Sequence, residues 1–276
     1  MKRLYFLVIT ILFSTSAFAD NASIKKANSQ IGIQFISTDV DYKEFGGQLG
    51  APAGLLDTEK ASINGFGINL SVMKDFILGN DYFKFDFTHN KGRTNYVGSY
   101  IGSNAGYGSV KSTSGASLID FDFRFGKGYE ISNNIMLTPY LEIGRHEWDR
   151  GVNAGENYKN EYLGIGVMPQ YSPFDKLVLS ASALVGRTFS SNIDVKADAS
   201  NLLFNASLGT STIYKVGASI DYAFSESIHG SIGADFTNFK YGISDPVPLD
   251  NNFYYAFEPG SKTKYSTLRV GIGYSF

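Results

Sequence analysis

The chain has 276 residues, no cysteine and a formal net charge of −2. Disulfide stapling is therefore excluded, and a near-neutral chain without a basic cluster speaks against a nucleic-acid partner. Aromatics are abundant (22 Phe, 18 Tyr), glycine reaches 30 residues and mean hydropathy is −0.10, which suits a wall that is apolar outside and small and polar inside.

Lys2 and Arg3 precede an apolar run from Leu4 to Phe13, and small residues then end in Ala17-Phe18-Ala19. This reads as a secretory signal peptide over 1–19, cut before Asp20, since the run is too short for a spanning helix of about 20 residues. The rest, 20–276, is expected to form one domain. No helix-period segment of useful length follows the signal.

Alternation of large apolar with small or polar residues then recurs, the period of a strand with two unlike faces. Ile31, Ile33 and Phe35 open the series, and a Gly-rich stretch from Gly46 to Asp57 reads as a loop. Phe66, Ile68, Leu70 and Val72 follow, then Phe83, Phe85 and Phe87, then a Gly/Ser/Asn loop over Gly98–Gly115. Ile119, Phe121, Phe123 and Phe125 alternate with Asp120, Asp122, Arg124 and Gly126. The next strand runs through Ile135, Leu137, Pro139, Leu141 and Ile143; Pro139 donates no ladder hydrogen bond and implies a bulge or break there. Three further strands centre on Leu163–Val167, Leu177–Val185 and Tyr214–Phe224, and a ninth on Ile232–Phe236. The chain closes on LRVGIGYSF, in which Leu268, Val270, Ile272, Tyr274 and Phe276 share one face.

Ten strands are counted. Connections near residues 50, 105, 152, 200 and 250 read as long, whereas those near 78, 130, 173 and 226 are tight. Outer-membrane barrels have an even strand count, short periplasmic turns and longer extracellular loops. A soluble sandwich has no reason to put its long loops at one end. The expected fold is therefore all-β, a closed antiparallel transmembrane β-barrel of ten strands (eight or twelve being the alternatives), with both termini periplasmic. Closure is obligatory, because unpaired edge groups in hydrocarbon are costly.

The C-terminal stretch Leu268–Phe276 resembles the terminal-strand signal of Gram-negative outer-membrane proteins, with a final Phe, an aromatic two residues earlier and alternating apolar residues upstream. The resemblance implies a small single-chain outer-membrane β-barrel protein, delivered by the barrel assembly machinery, with outer-membrane lipid and lipopolysaccharide as surroundings. It implies a surface antigen, adhesin or structural membrane protein with a possible extracellular ligand at its loops. A small polar channel and an outer-membrane enzyme, omptin-like protease or lipid A-modifying, are the alternatives.

By parity, Lys84, Asp86, Asp120, Asp122, Arg124, Glu142, Lys215, Asp221, Asp235 and Arg269 face the lumen. A barrel near this size is only just wide enough to be filled by side chains, so the preferred reading is an interlocked plug of charges rather than a pore. For the enzyme alternative, His146 shares the inward parity with Trp148, with Glu147 and Asp149 beside it, Asp39 and Asp41 near the top of the first strand and His89 near the top of the third. A His beside carboxylates could act as a general base, but no omptin motif matches residue by residue, and no catalytic residue is assigned. Three scattered histidines lack metal-ligand spacing, and no cofactor is expected. Tyr96, Tyr100, Tyr107, Phe253, Tyr254, Tyr255 and Phe257 read as an interfacial girdle ahead of a contact surface.

Overall fold

The computed structural model describes residues 21–99, 106–249 and 254–276. The expected signal peptide, Tyr100 and Phe253 lie outside them. Ten long strands form the wall: β1 (Gln30–Phe45), β2 (Leu55–Lys74), β3 (Asp81–Gly98), β4 (Val110–Lys127), β5 (Ile135–Arg150), β6 (Glu156–Phe174), β7 (Leu177–Lys196), β8 (Thr212–Ala223), β9 (Ile228–Tyr241) and β10 (Gly260–Ser275). Each pairs antiparallel with its sequence neighbours, and β10 pairs with both β9 and β1, so the sheet closes on itself. Gln30 stands opposite Ser275, which brings both ends of the described chain to the tight-turn end.

Strand parity sets the two faces as the alternation predicts. Ile33, Ile165 and Leu268 are each 63% exposed on the outside; keeping such side chains from water is worth roughly 1.5–3 kcal/mol apiece, so an apolar medium must cover this wall. Between β3 and β4 the outer face is an aromatic ladder, Phe83–Phe125, Phe85–Phe123 and Phe87–Phe121, with ring centroids 5.3, 4.8 and 5.0 Å apart. The inner face needs glycine where aromatic rings lie flat against the wall. A Cβ on Gly144 would collide with the Tyr162 ring and one on Gly166 with the Tyr140 ring.

Several expectations need correction. The strands run 12–20 residues, mostly well beyond the ~9–11 that cross a bilayer. The surplus projects past the apolar band at the long-loop end, where outward positions turn polar: Asp39, Asp41 and Lys43 on β1, Arg145, Glu147 and Asp149 on β5. The ends of the two expected loops, 55–57 of Gly46–Asp57 and 110–115 of Gly98–Gly115, are consequently strand, since polar residues on both faces hide the alternation. The connection near residue 152 is also short, spanning 151–155. A helix that hydropathy period did not reveal, α1 (Asn21–Ala27), precedes β1. At Pro139 the break is present. The β4–β5 register ends at Gly126 opposite Tyr140, and β5 resumes pairing as Leu137 with Tyr129 of the short strand Tyr129–Ser132.

Candidate functional site in the barrel lumen

The lumen is bridged at three levels and floored at the tight-turn end. In the middle, Lys215 reaches across from β8 to Asp122 on β4 (2.8 Å) and Glu142 on β5 (2.7 Å). Arg124 pairs with the other side of Glu142. The Tyr162 hydroxyl donates to Glu142 at 2.6 Å and also lies against Asp122. Lys84–Asp86 (3.0 Å) and Arg269–Asp235 (2.7 Å) complete the layer. Charges buried in this way persist because each has an opposite partner and hydrogen bonds.

One step toward the long loops, His146 Nδ1 lies 2.6 Å from Asp120 and Nε2 lies 3.0 Å from the Tyr265 hydroxyl on β10. Since β10 stands five strands from β5 in a ring of ten, this contact spans the lumen. Asp120 can only accept while ionised, so in the neutral ring Nδ1 carries the proton and Nε2 accepts from Tyr265. Phe239 packs against the imidazole at 5.5 Å.

The third level was not foreseen. Arg150, 2% exposed, donates from Nε to Glu59 (2.7 Å), from Nη1 to Glu156 (2.8 Å) and from Nη2 to Asp57 (3.2 Å). Its guanidinium lies 4.3 Å from the Tyr42 ring centroid, and the Tyr42 and Tyr158 hydroxyls meet at 3.0 Å from opposite walls. The Tyr42 hydroxyl also lies 3.1 Å from Glu44, and Tyr158 donates to Glu258. Five buried carboxylates thus surround one guanidinium. Glu258 belongs to the connection 242–259, tied down by Glu258 N to Ser244 Oγ (2.8 Å) and Ser244 N to Glu258 O (2.9 Å). Burial, with the Glu156 charge adding to it, pushes the Glu258 carboxyl up to about 8. Arg150 has the same parity as His146 and Trp148, the signal that could have found it. Asp57 was hidden by reading Gly46–Asp57 as loop, and Glu59 by leaving the stretch before Phe66 unassigned.

At the opposite end α1 forms the floor. Ile24 is fully buried in a cluster that includes Met73, Met136 and Met168, and Asn28 donates to Gln170 at 2.6 Å. Lys25 pairs with Glu130 (3.1 Å) and Asn21 donates to the Ser132 carbonyl (2.9 Å). Above this floor, Asp221 takes His229 Nδ1 at 2.6 Å and Gln30 Nε2 at 3.1 Å. Cavities of about 100 Å³ lie by Gln30, Gln170 and Asp221 and by Asp86, His146 and Lys215. Each has room for roughly three waters.

All ten charged residues assigned to the lumen point inward. The grouping proposed around His146 does not assemble. Asp39 and Asp41 face outward beside Ser62 and Lys60, and His89 faces outward against Phe66 and Ser117. Glu147 and Asp149 also lie on the outer face, since consecutive strand residues alternate sides. Among the described residues no group of three or more His, Asp or Glu could hold a metal ion. Tyr254 and Tyr255 stand 72% and 61% exposed on a hairpin, Val247–Leu249 with Tyr254–Ala256, beyond the polar start of β10. They therefore lie outside the apolar band and not in a girdle.

No family model and no curated protein matches the sequence. Among solved structures, the outer membrane protease OmpT from Escherichia coli aligns with a TM-score of 0.58 at 12% identity, over 90% of this chain and 97% of that one. OprG from Pseudomonas aeruginosa (11% identity, 90% and 96%) and Ail of Yersinia pestis (12% identity, 90% and 99%) align at TM-scores of only 0.38 and 0.28. At such identities the likeness is one of fold alone. With its ring of ten strands, lipid-suited exterior and polar core, the chain is a β-barrel of the outer-membrane type.

Proposed function

We propose that the protein is an integral outer-membrane barrel with a non-conducting lumen, serving as a rigid stalk that presents its long-loop end outside the cell as an adhesin or surface antigen. The observation that carries this reading is the triple bridging of the lumen, by Lys215–Glu142, His146–Tyr265 and Tyr42–Tyr158, together with the α1 floor. A transport path would have to break buried ion pairs or hydrogen bonds at each level. The tight turns and both chain ends then face the periplasm, as in barrels generally. The exposed Tyr254–Tyr255 hairpin suits contact with a partner, because Tyr supplies amphipathic area at low entropic cost.

Three measurements test the reading. Refolded protein in planar bilayers is expected to carry no steady current; an ion-selective steady current would replace the stalk with the channel. On intact cells, protease is expected to cut only in the long connections. Tyr254→Ser with Tyr255→Ser is expected to lower adhesion to host cells or matrix while leaving heat-modifiable gel mobility unchanged. Unchanged adhesion removes the hairpin from the reading. The omptin alternative gains nothing from the geometry around His146, whose two ring nitrogens are engaged inside the wall.

A further inference from the structure

The outer wall is not uniform. Across β4 to β8 the row Phe125, Leu141, Ile165, Val185 and Tyr214 is paired in register, and the next row toward the tight turns is Pro139, Val167, Ala183 and Val216. The second row is small, and beneath it the ladder is interrupted where Pro139 offers no N–H to β4. The wall accordingly sinks into an apolar hollow of about 950 Å³, with Gly126 and Gly166 in its floor. The outward row Ala181, Ala218 and Ala234 beside it is small as well, whereas the far wall carries larger exposed side chains such as Ile33, Phe66 and Ile232.

One end of the hollow is built independently of those small residues. The turn 75–80 carries Phe76, Ile77 and Leu78, exposed to 66%, 89% and 64%. Its backbone is fixed, since the Asp81 carboxylate accepts the N–H groups of all three at 2.9, 2.7 and 3.0 Å. Lys127 donates to the Leu78 carbonyl and sits over the Tyr129 ring, strapping the turn against the outside of the barrel so that Leu78 lines the hollow. A rigid apolar tip beside a lysine, where the lipid-facing band ends, matches the boundary between acyl chains and headgroups.

We propose that this hollow seats an acyl chain of a phospholipid from the leaflet on the tight-turn side, with the phosphate drawn to Lys127. A flexible chain can follow a concave surface, whereas a second barrel offers a convex one. The proposal rests on the membrane reading above. The test reconstitutes the full chain in vesicles of phosphatidylethanolamine and phosphatidylglycerol containing a phospholipid with a photoreactive tail, and maps adducts after illumination. Adducts at Val167, Ala183 and Leu78 are expected to exceed those at Ile33 and Val270 by about fivefold, a modest preference for a well-packed chain. Ala183→Phe fills the hollow and is expected to abolish that excess without changing the far wall. Lys127→Gln is expected to reduce it for the phospholipid probe and not for a diacylglycerol carrying the same tail. Even labelling of all walls in vesicle-bound protein overturns the site, as does cross-linking of the hollow to another copy of the chain. An equal effect of Lys127→Gln on both probes overturns the phosphate contact. Protein that neither floats with vesicles nor labels on any wall overturns the membrane reading itself.

Discussion

At the scale of single residues, Glu142 decides whether the middle of the lumen is neutral. It is fully buried between Arg124 and Lys215 and also accepts from Tyr162. Glu142→Ala leaves two cations facing each other across one gap, and breaking a buried pair in this way costs about 3–5 kcal/mol. The urea midpoint of heat-modifiable gel mobility is expected to fall accordingly. Glu142→Ala with Lys215→Ala is expected to recover part of the loss, because contacting residues are coupled. If the double variant is as unstable as the sum of the single ones, the network is not the source of the stability. These residues were legible from parity, which puts every second side chain of a strand inside. Their pairing was not, since Lys215 is 73 positions from Glu142 in the chain.

At the scale of elements, the described parts of the connection between β9 and β10, 242–249 and 254–259, carry Glu258 onto the upper bridge, and this carboxyl makes their docking pH-dependent. Its folded value of about 8 lies above the ordinary 4.5. The docked connection therefore holds a proton that the released one gives up. Docking is strongest below 4.5, weakens as pH rises between the two values, and levels off above 8. Glu156, Asp57, Glu44, Tyr158 and Arg150 are the charged and titratable groups bearing on it. Cleavage within 242–259 by a broad-specificity protease is expected to speed up from pH 6 to about pH 9. Glu258→Gln should remove that dependence and protect the loop at the alkaline end. A pH-independent wild-type rate would show that the connection is not held through this carboxyl.

The floor behaves as a separate element. Deleting residues 21–28 uncovers the end of the buried cluster that Ile24 shares with Met73, Met136 and Met168. Their peroxide oxidation is expected to accelerate, as exposure governs methionine oxidation. Conductance should stay absent, because the bridges at Glu142, His146 and Arg150 lie above the floor. Current in this variant would mean that α1 alone closes the barrel.

At the scale of the whole molecule, closure joins the oldest and newest ends of the chain. Phe276 contributes a single backbone bond, its N–H to Ser29 O at 3.1 Å, and its ring is half exposed beside Lys74. Deleting Phe276 is therefore expected to leave the unfolding midpoint of refolded barrel nearly unchanged, within ~0.5 kcal/mol. Delivery in cells should drop if LRVGIGYSF is the signal that the resemblance implies. Equal losses in both measurements would make Phe276 a structural residue and not an assembly signal. By itself the sequence determined the ten-strand wall, its outward and inward faces and the inward charges, because strand period two is a local property that needs no partner. It also determined the break at Pro139, since a missing N–H is written in one residue. Only the tertiary structure decided that Tyr42 meets Tyr158, that Arg150 gathers Asp57, Glu59 and Glu156, and that Glu258 covers them. Those contacts cross the barrel, and strands on opposite walls come into reach only after the last strand has closed on the first.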